Sequence, residues 1–224
     1  MIPLFIMRFI GMKSKAKSSP ARRQSALKNW KAYKDFYKSL PKRNSLESID
    51  RALNRFEARY NLASKFHSIE ATGITRKTLR GYEVGLRLML SYTAAELLCE
   101  ATGGYVSRMK IEDKSLADKL RSMLKRYKKS ENPDISAIKD ISKVINNIDV
   151  IKEFNLFIKD NKRTNVRIVA TVLRIAMAHG PYSPYAFDVN TTSDAATINH
   201  LSKKLLMKCQ QDFNEWFKKQ KAIQ

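Results

Sequence analysis

The sequence contains few of the residues that interrupt helices, cross-link a chain or bind metals. Its 224 residues include 7 glycines, 6 prolines, 2 cysteines and 3 histidines. Because glycine and proline mark turns, their scarcity favours long helices over a many-stranded sheet. Cys99 and Cys209 lie in apolar helical contexts without CxxC or Cys/His spacing, which is typical of core residues of a cytoplasmic protein. We therefore predict neither a disulfide framework nor a metal site, and no cofactor.

The sequence also lacks an apolar run long enough to span a bilayer. The longest candidate, MIPLFIMRFIG at residues 1–11, is too short and has no basic stretch ahead of it. We predict that residues 1–25 form a flexible basic segment. Its first 11 residues are either a buried first segment or an extension upstream of a start at Met12. Attachment of residues 1–11 to a membrane surface is a third interpretation, which we do not favour.

Acidic residues are the minority charge. The chain has 43 Lys and Arg against 21 Asp and Glu, a net charge of +22, and half of the excess lies in residues 1–60. Such a balance indicates a polyanionic partner, and nucleic acid before membrane. The alternative is a basic surface that only keeps the protein soluble.

Apolar residues recur at helical spacing along nearly the whole chain, which predicts an all-α fold. We expect one domain over residues 26–224, a bundle of about seven to eight helices around two buried central helices. The first central helix begins after Thr75, runs to about Ala101 and ends at Gly103–Gly104. The others are expected at residues 26–40, from Ser45, at 113–129, from Pro133, from Asp149 to Ile158, at 165–178, and from Ser193 or Asp194.

The second central helix lies in residues 163–182, which read RTNVRIVATVLRIAMAHGPY. It is apolar on most sides, so it is predicted to be buried, and a buried arginine needs a partner. Arg174 is followed five residues later by His179, and Gly180–Pro181 end the helix. The candidate partners of Arg174 are the carboxylates of the first central helix: Glu83, Glu96 and Glu100.

An Arg, four residues and a His at the end of the last core helix resemble the signature of the HEPN superfamily. The resemblance covers about residues 75–182 by architecture and residues 174–182 by motif. It implies a helical bundle, a metal-independent RNase of the toxin–antitoxin, antiphage or CRISPR-associated kind, and an active site formed across a homodimer. The chain departs from the pattern at Ile175, where active members usually carry a polar residue, and at Tyr182, which follows the His by three residues instead of two.

The resemblance implies that Arg174 and His179 are catalytic, with Tyr182 and Glu96 near the site. A His can relay a proton near neutral pH, and an Arg can stabilise the charge on a phosphorane. The alternative for His179 is a histidine that complements the helix C-terminus. Further basic residues are candidates for binding RNA or another nucleic acid: Arg51, Arg55, Arg59, Lys125, Arg126, Lys128, Lys129, Arg163 and Arg167. For the first three the alternative is an exposed helix face, and for the next four it is ordinary helix-end chemistry.

Two classes of function therefore remain open. The first is a HEPN-like endoribonuclease acting as a toxin or antiphage effector, with an antitoxin or effector-complex protein as a second partner. The second is a non-catalytic helical module that binds nucleic acid, or a degenerate HEPN scaffold. The Arg174/His179 pair favours the first class, and Ile175 favours the second.

Overall fold

Helices account for nearly all regular structure in this protein. The computed structural model describes residues 25–40, 47–129, 145–178 and 192–223, although not the side chains of Lys128, Lys129 and Thr192. Across these ranges the chain forms seven α-helices, a 3-10 turn at Val106–Arg108 and one isolated antiparallel bridge. The helices are α1 (Trp30–Ser39), α2 (Glu47–Lys65), α3 (Arg76–Thr102), α4 (Lys114–Lys129), α5 (Ile148–Lys159), α6 (Arg167–Ala178) and α7 (Thr192–Ala222). The predicted all-α bundle is confirmed.

The core is built around α3 and α6, with α7 alongside. α3 packs against α2, α6 and α7, and α6 also packs against α5. Eight of the twelve residues of α6 are buried. α7 has 31 residues, a length of about 46 Å, and its residues Ile198, Leu201, Leu205 and Cys209 are fully buried. The sequence therefore identified the two central helices, and the long C-terminal helix completes their packing.

The ends of α3 follow the predicted capping chemistry. The Thr75 hydroxyl accepts a hydrogen bond from the Thr78 amide, which satisfies one free N–H of the first turn. Gly103 has φ +72° and closes the helix, because a residue without a side chain adopts the left-handed conformation at little cost. α1 begins at Trp30, four residues later than expected, because Asn29 is itself left-handed, with φ 65°.

The chain before α4 and the chain before α6 are joined side by side. The Val166 amide donates to the Ile111 carbonyl (3.0 Å), and the Asp113 amide donates to the Thr164 carbonyl (3.1 Å). The Asn165 side chain accepts a further bond from the Ile111 amide. These contacts fix the start of α4 next to the start of α6.

Both cysteines pack as expected for core residues. Cys209 is fully buried and Cys99 is partly buried against the core. Burial raises the pKa of the Cys99 thiol to about 11 and raises the pKa of Cys209 as well. Both side chains therefore carry a neutral thiol at physiological pH.

Several predictions fall on residues that the structure does not describe. They are the basic N-terminal segment up to residue 24, the start of a helix at Ser45, the helix from Pro133, and the helix end at Gly180–Pro181. Of the described helices, none combines the length and the apolar character that crossing a membrane would require.

Candidate functional site

Arg174 lies at the edge of the core and not inside it. Its side chain is 33% exposed, in the second half of α6, where α6 meets α3. Its Nη2 atom lies 3.3 Å from Oε1 of Glu96 and 3.4 Å from Oε2. The guanidinium also lies over the ring of Tyr92, 5.8 Å from the ring centroid. A carboxylate and an aromatic face from α3 therefore hold this arginine in an accessible position.

Glu96 is the carboxylate that meets Arg174, among the three candidates on α3. Glu83 instead accepts a hydrogen bond from the Ile69 amide (3.1 Å), and Glu100 pairs with Arg55 at 2.8 Å. Within the described part of the chain, Glu96 engages only Nη2 of Arg174. The Nε and Nη1 donors are thus left for another acceptor.

The deeply buried arginine of α6 is Arg167, which we had predicted as a nucleic-acid-binding residue. That prediction was wrong, because Arg167 is only 3% exposed. Its Nη2 atom donates to both carboxylate oxygens of Glu153 on α5, at 2.6 and 2.5 Å, and its Nη1 atom lies 3.5 Å from the Thr171 hydroxyl. Among the residues that the structure describes, its Nε atom has no hydrogen-bond partner. A guanidinium occupied in this way is not available to a phosphate backbone.

Thr171 and Tyr92 connect the two arginines. Their hydroxyl oxygens are 3.0 Å apart, and the Thr171 hydroxyl also lies 3.2 Å from the Arg167 carbonyl. Several effects act on the pKa of Tyr92, and the largest of them is burial, which raises it. The hydroxyl therefore stays protonated at neutral pH. Tyr92 therefore supports Arg174 with its ring and is not a candidate general base.

His179 and Tyr182, the other predicted site residues, lie outside the described residues, since α6 is described up to Ala178. The separation of Arg174 from His179 thus remains a prediction. The side chains of Lys128 and Lys129 are likewise not described.

The predicted arginine stripe on α2 is exposed. Arg51 pairs with Glu47 one turn earlier on α2, as expected from their spacing, and Arg55 pairs with Glu100 of α3. Arg59 is exposed and makes no ion pair within the described residues. Two of the three guanidiniums are therefore already matched by carboxylates, which makes α2 a weaker phosphate-binding face than its spacing implied.

The other described residues that we predicted to bind nucleic acid are Arg126, Arg163 and Lys125, and they differ in whether a carboxylate pairs with them. Arg126 donates to Asp194 (2.5 Å), a carboxylate that is 5% exposed in the first turn of α7, so Arg126 ties α4 to α7. Arg163 lies 3.7 Å from Asp160 and is half exposed. Lys125 is exposed, with no ion pair in the part of the chain that is described.

Arg121 of α4 is a buried charge that the sequence reasoning did not single out. It is 3% exposed, and its donors reach the carbonyls of Phe157 (2.8 Å), Asp160 (3.2 Å) and Arg163 in the α5–α6 turn. Nη1 also pairs with Asp118 at 2.7 Å. The available signal was its spacing: Arg121 falls one turn after Ala117 on the apolar face of α4.

No family model, no curated protein and no solved structure matches this chain.

Proposed function

We propose that this protein is a HEPN-like, metal-independent endoribonuclease in which Arg174 and His179 act on RNA. The observation that carries the proposal is the setting of Arg174. It is one-third exposed, fixed by Glu96 and Tyr92, and five residues before the histidine. A guanidinium needed only for packing would be buried, as Arg167 is at 3% exposure, with a carboxylate engaged by its Nη2 atom.

The proposed reaction uses the 2′-hydroxyl of RNA as the nucleophile. The 2′-oxygen attacks the adjacent phosphorus, the P–O5′ bond breaks, and a 2′,3′-cyclic phosphate and a 5′-hydroxyl result. His179 accepts the proton of the 2′-hydroxyl or donates one to the leaving 5′-oxygen. Arg174 stabilises the charge that develops on the non-bridging oxygens, through the donors that Glu96 leaves open.

A homodimer supplies the second half of the site in this proposal. Positions five apart on a regular helix point about 140° away from each other, so one Arg174/His179 pair on an undistorted helix does not converge. Two copies that bring their pairs into one cleft would combine an arginine of one protomer with a histidine of the other. The proposed setting is the cytoplasm, as a toxin or antiphage effector held in check by an antitoxin or an effector complex.

A second candidate is a non-catalytic module that binds nucleic acid, or a degenerate HEPN scaffold. It is favoured by Ile175, which packs partly buried against the core at the position where active members carry a polar residue. The net charge of +22 fits both candidates, because either one binds a polyanion.

The test is cleavage of mixed cellular RNA in the presence of EDTA. The wild type is compared with Arg174→Ala, His179→Ala and the matched control Arg80→Ala, which replaces an exposed arginine near the start of α3 that is not among the predicted nucleic-acid-binding residues. Circular dichroism and thermal unfolding first establish that each variant is folded. The proposal predicts cleavage in EDTA that Arg174→Ala and His179→Ala each reduce at least about 100-fold, while Arg80→Ala leaves it within about twofold.

The second candidate predicts the opposite pattern. RNA is then bound in a salt-sensitive manner without being cut, and binding is unchanged by Arg174→Ala or His179→Ala. Cleavage that persists in both folded variants would contradict the roles assigned to these two residues.

A further inference from the structure

A basic depression lies between α4 and the turn that joins α5 to α6. It has a volume of about 670 Å³, and three exposed lysines stand around it: Lys114 and Lys125 on α4, and Lys162 in the turn. We call this feature the α4 groove. It adjoins the start of α6, whereas Arg174 lies about 10 Å further along that helix than Arg167.

The spacing of α4 puts the wall of the groove on one face of the helix. Positions 118, 121, 122 and 125 follow position 114 by four, seven, eight and eleven residues, which are steps that return to the same side of a helix. The opposite wall is the turn at residues 161–164. It is held against α4 by the junction in which the Asp113 amide donates to the Thr164 carbonyl.

Arg121 gives the groove a fixed floor. Its guanidinium stacks on the Phe157 ring, 4.6 Å from the centroid, and donates to the Phe157 carbonyl in α5 and to the Asp160 and Arg163 carbonyls after it. The turn is tightened further because the Lys162 amide donates to the Asp160 carboxylate at 2.9 Å. The two walls are therefore held in place by hydrogen bonds before any ligand arrives, which lowers the entropic cost of binding.

The charges of the groove are unbalanced. Among the described residues that line it, Asp118 is the only carboxylate, and it is paired with Arg121 at 2.7 Å. In the described part of the chain, Lys114, Lys125 and Lys162 form no ion pair. Glu112 accepts a hydrogen bond from the Thr164 hydroxyl. Three lysines with no acid partner favour an anionic ligand.

The length of the groove selects among anions. Lys114 and Lys125 are eleven residues apart on α4, a distance of about 16 Å along the helix. A single phosphate group cannot contact both ends of such a row, whereas a polymer with regularly spaced phosphates can. The lining is also polar, with the Ser122 hydroxyl and the Asn161 amide as additional donors, so the groove does not suit an apolar ligand.

We propose that the α4 groove binds the phosphodiester backbone of single-stranded RNA, with Lys114, Lys125 and Lys162 contacting successive phosphates. This inference rests on the RNA-directed function proposed above. It names a substrate-binding surface whose lining does not include Arg174. Arg121 is a positioning residue in it, because its donors are spent on the protein and it shapes the groove without touching the ligand.

The test measures how the affinity for a single-stranded RNA of about 16 nucleotides depends on salt concentration, in the presence of EDTA. All proteins carry Arg174→Ala so that the RNA stays intact. The test variant carries Lys114→Gln, Lys125→Gln and Lys162→Gln. The control variant carries Lys119→Gln, Lys203→Gln and Lys218→Gln, which removes the same charge from exposed lysines outside the groove. Thermal unfolding confirms that both are folded.

The proposal predicts that the test variant binds the RNA about 10- to 100-fold more weakly than the control at about 0.15 M salt. Its plot of log affinity against log salt loses about 2 units of slope, since each phosphate contact with a single strand contributes about 0.7. Equal losses in the two variants would overturn the proposal. So would displacement of the RNA by inorganic phosphate beyond what chloride achieves at equal ionic strength, which would mark a site for a single phosphate.

The two proposals fail separately. RNA binding that depends on the groove lysines, together with no cleavage by the wild type, would contradict the nuclease and leave the groove standing. Cleavage by the wild type, together with indifference of binding to these lysines, would contradict the groove and leave the nuclease standing.

Discussion

The carboxylate of Glu96 on α3 lies 3.3 Å from the guanidinium of Arg174 on α6. The side chain of Glu96 is 39% exposed and that of Arg174 is 33% exposed. An exposed pair of this kind contributes little to stability, below about 1 kcal/mol. Its main consequence is orientation: the arginine is held over the Tyr92 ring with part of its donor set open.

Glu96→Gln therefore tests orientation apart from stability. We expect the free energy of unfolding to fall by less than about 1 kcal/mol. We expect the rate constant kcat for RNA cleavage to fall at least about tenfold with little rise in KM, because a less firmly oriented arginine loses more transition-state stabilisation than ground-state binding. A rise in KM at unchanged kcat would mean that Glu96 serves binding alone.

Tyr92→Phe separates the ring under Arg174 from the hydroxyl that meets Thr171. Losing one buried hydrogen bond should cost about 1 kcal/mol in urea unfolding, while the ring and RNA cleavage are retained. Tyr92→Leu removes both groups and should reduce cleavage as well. If the Phe variant loses cleavage as completely as the Leu variant, the hydroxyl and not the ring supports Arg174.

The comparison of Arg174 with Arg167 shows what sequence can and cannot predict here. Both lie in a strongly apolar helix, seven residues apart and so on nearly the same face. Which one is buried depends on Glu153, which reaches Arg167 from α5, and on Glu96, which meets Arg174 from α3. The spacing of apolar residues along one helix does not indicate which residues of other helices contact it. We predicted Arg174 as the buried arginine and Arg167 as a nucleic-acid-binding residue, whereas the structure buries Arg167 and leaves the side chain of Arg174 one-third exposed.

Features that depend on neighbouring residues in the sequence were predicted correctly, because their physical causes are local. The Thr75 cap, the Gly103 end of α3 and the Glu47–Arg51 pair all involve residues within one turn of each other. All three carboxylates of α3 were candidate partners of Arg174. Choosing Glu96 among them required the packing of α3 on α6. Arg121 was missed for a related reason, since its acceptors are backbone carbonyls more than 30 residues away.

Arg167→Ala is expected to be strongly destabilising. It removes an arginine side chain that is 4% exposed and pairs with Glu153, which is 35% exposed. We expect a cost of about 2 to 3 kcal/mol, because the substitution leaves a cavity at a buried position and takes the partner from a partly buried carboxylate. The measurement is urea unfolding, with Arg59→Ala as the exposed control, for which we expect little change. Equal stability of the two variants would contradict the structural role of Arg167.

Asp113 gives the fold a pH dependence in acid. A hydrogen bond from Lys204 and one from the Leu116 amide hold the pKa of this carboxyl below its usual value. A lowered folded-state pKa stabilises the protein above the ordinary carboxyl pKa of about 4, and this stabilisation is lost as the pH falls through the folded-state pKa.

Asp113→Ala should therefore cost about 1 to 2 kcal/mol near pH 7, where the charged cap of α4 is lost. Its difference from the wild type should shrink steadily below about pH 4, because the wild-type carboxyl becomes protonated. Urea unfolding at a series of pH values measures this. A difference that is independent of pH would show that packing, and not the charge on Asp113, accounts for the effect.

The central claim is that RNA is cut by its own 2′-hydroxyl with Arg174 and His179 as the acting groups. The most direct test measures, in EDTA, the cleavage of an RNA oligonucleotide and of an oligonucleotide of the same sequence made of 2′-deoxy nucleotides. Mass spectrometry then identifies the new ends. The account predicts cleavage of the RNA alone, with 2′,3′-cyclic phosphate and 5′-hydroxyl ends, and no cleavage by folded Arg174→Ala or His179→Ala. Cleavage of the 2′-deoxy strand, or no cleavage of any RNA by the intact protein, would contradict it.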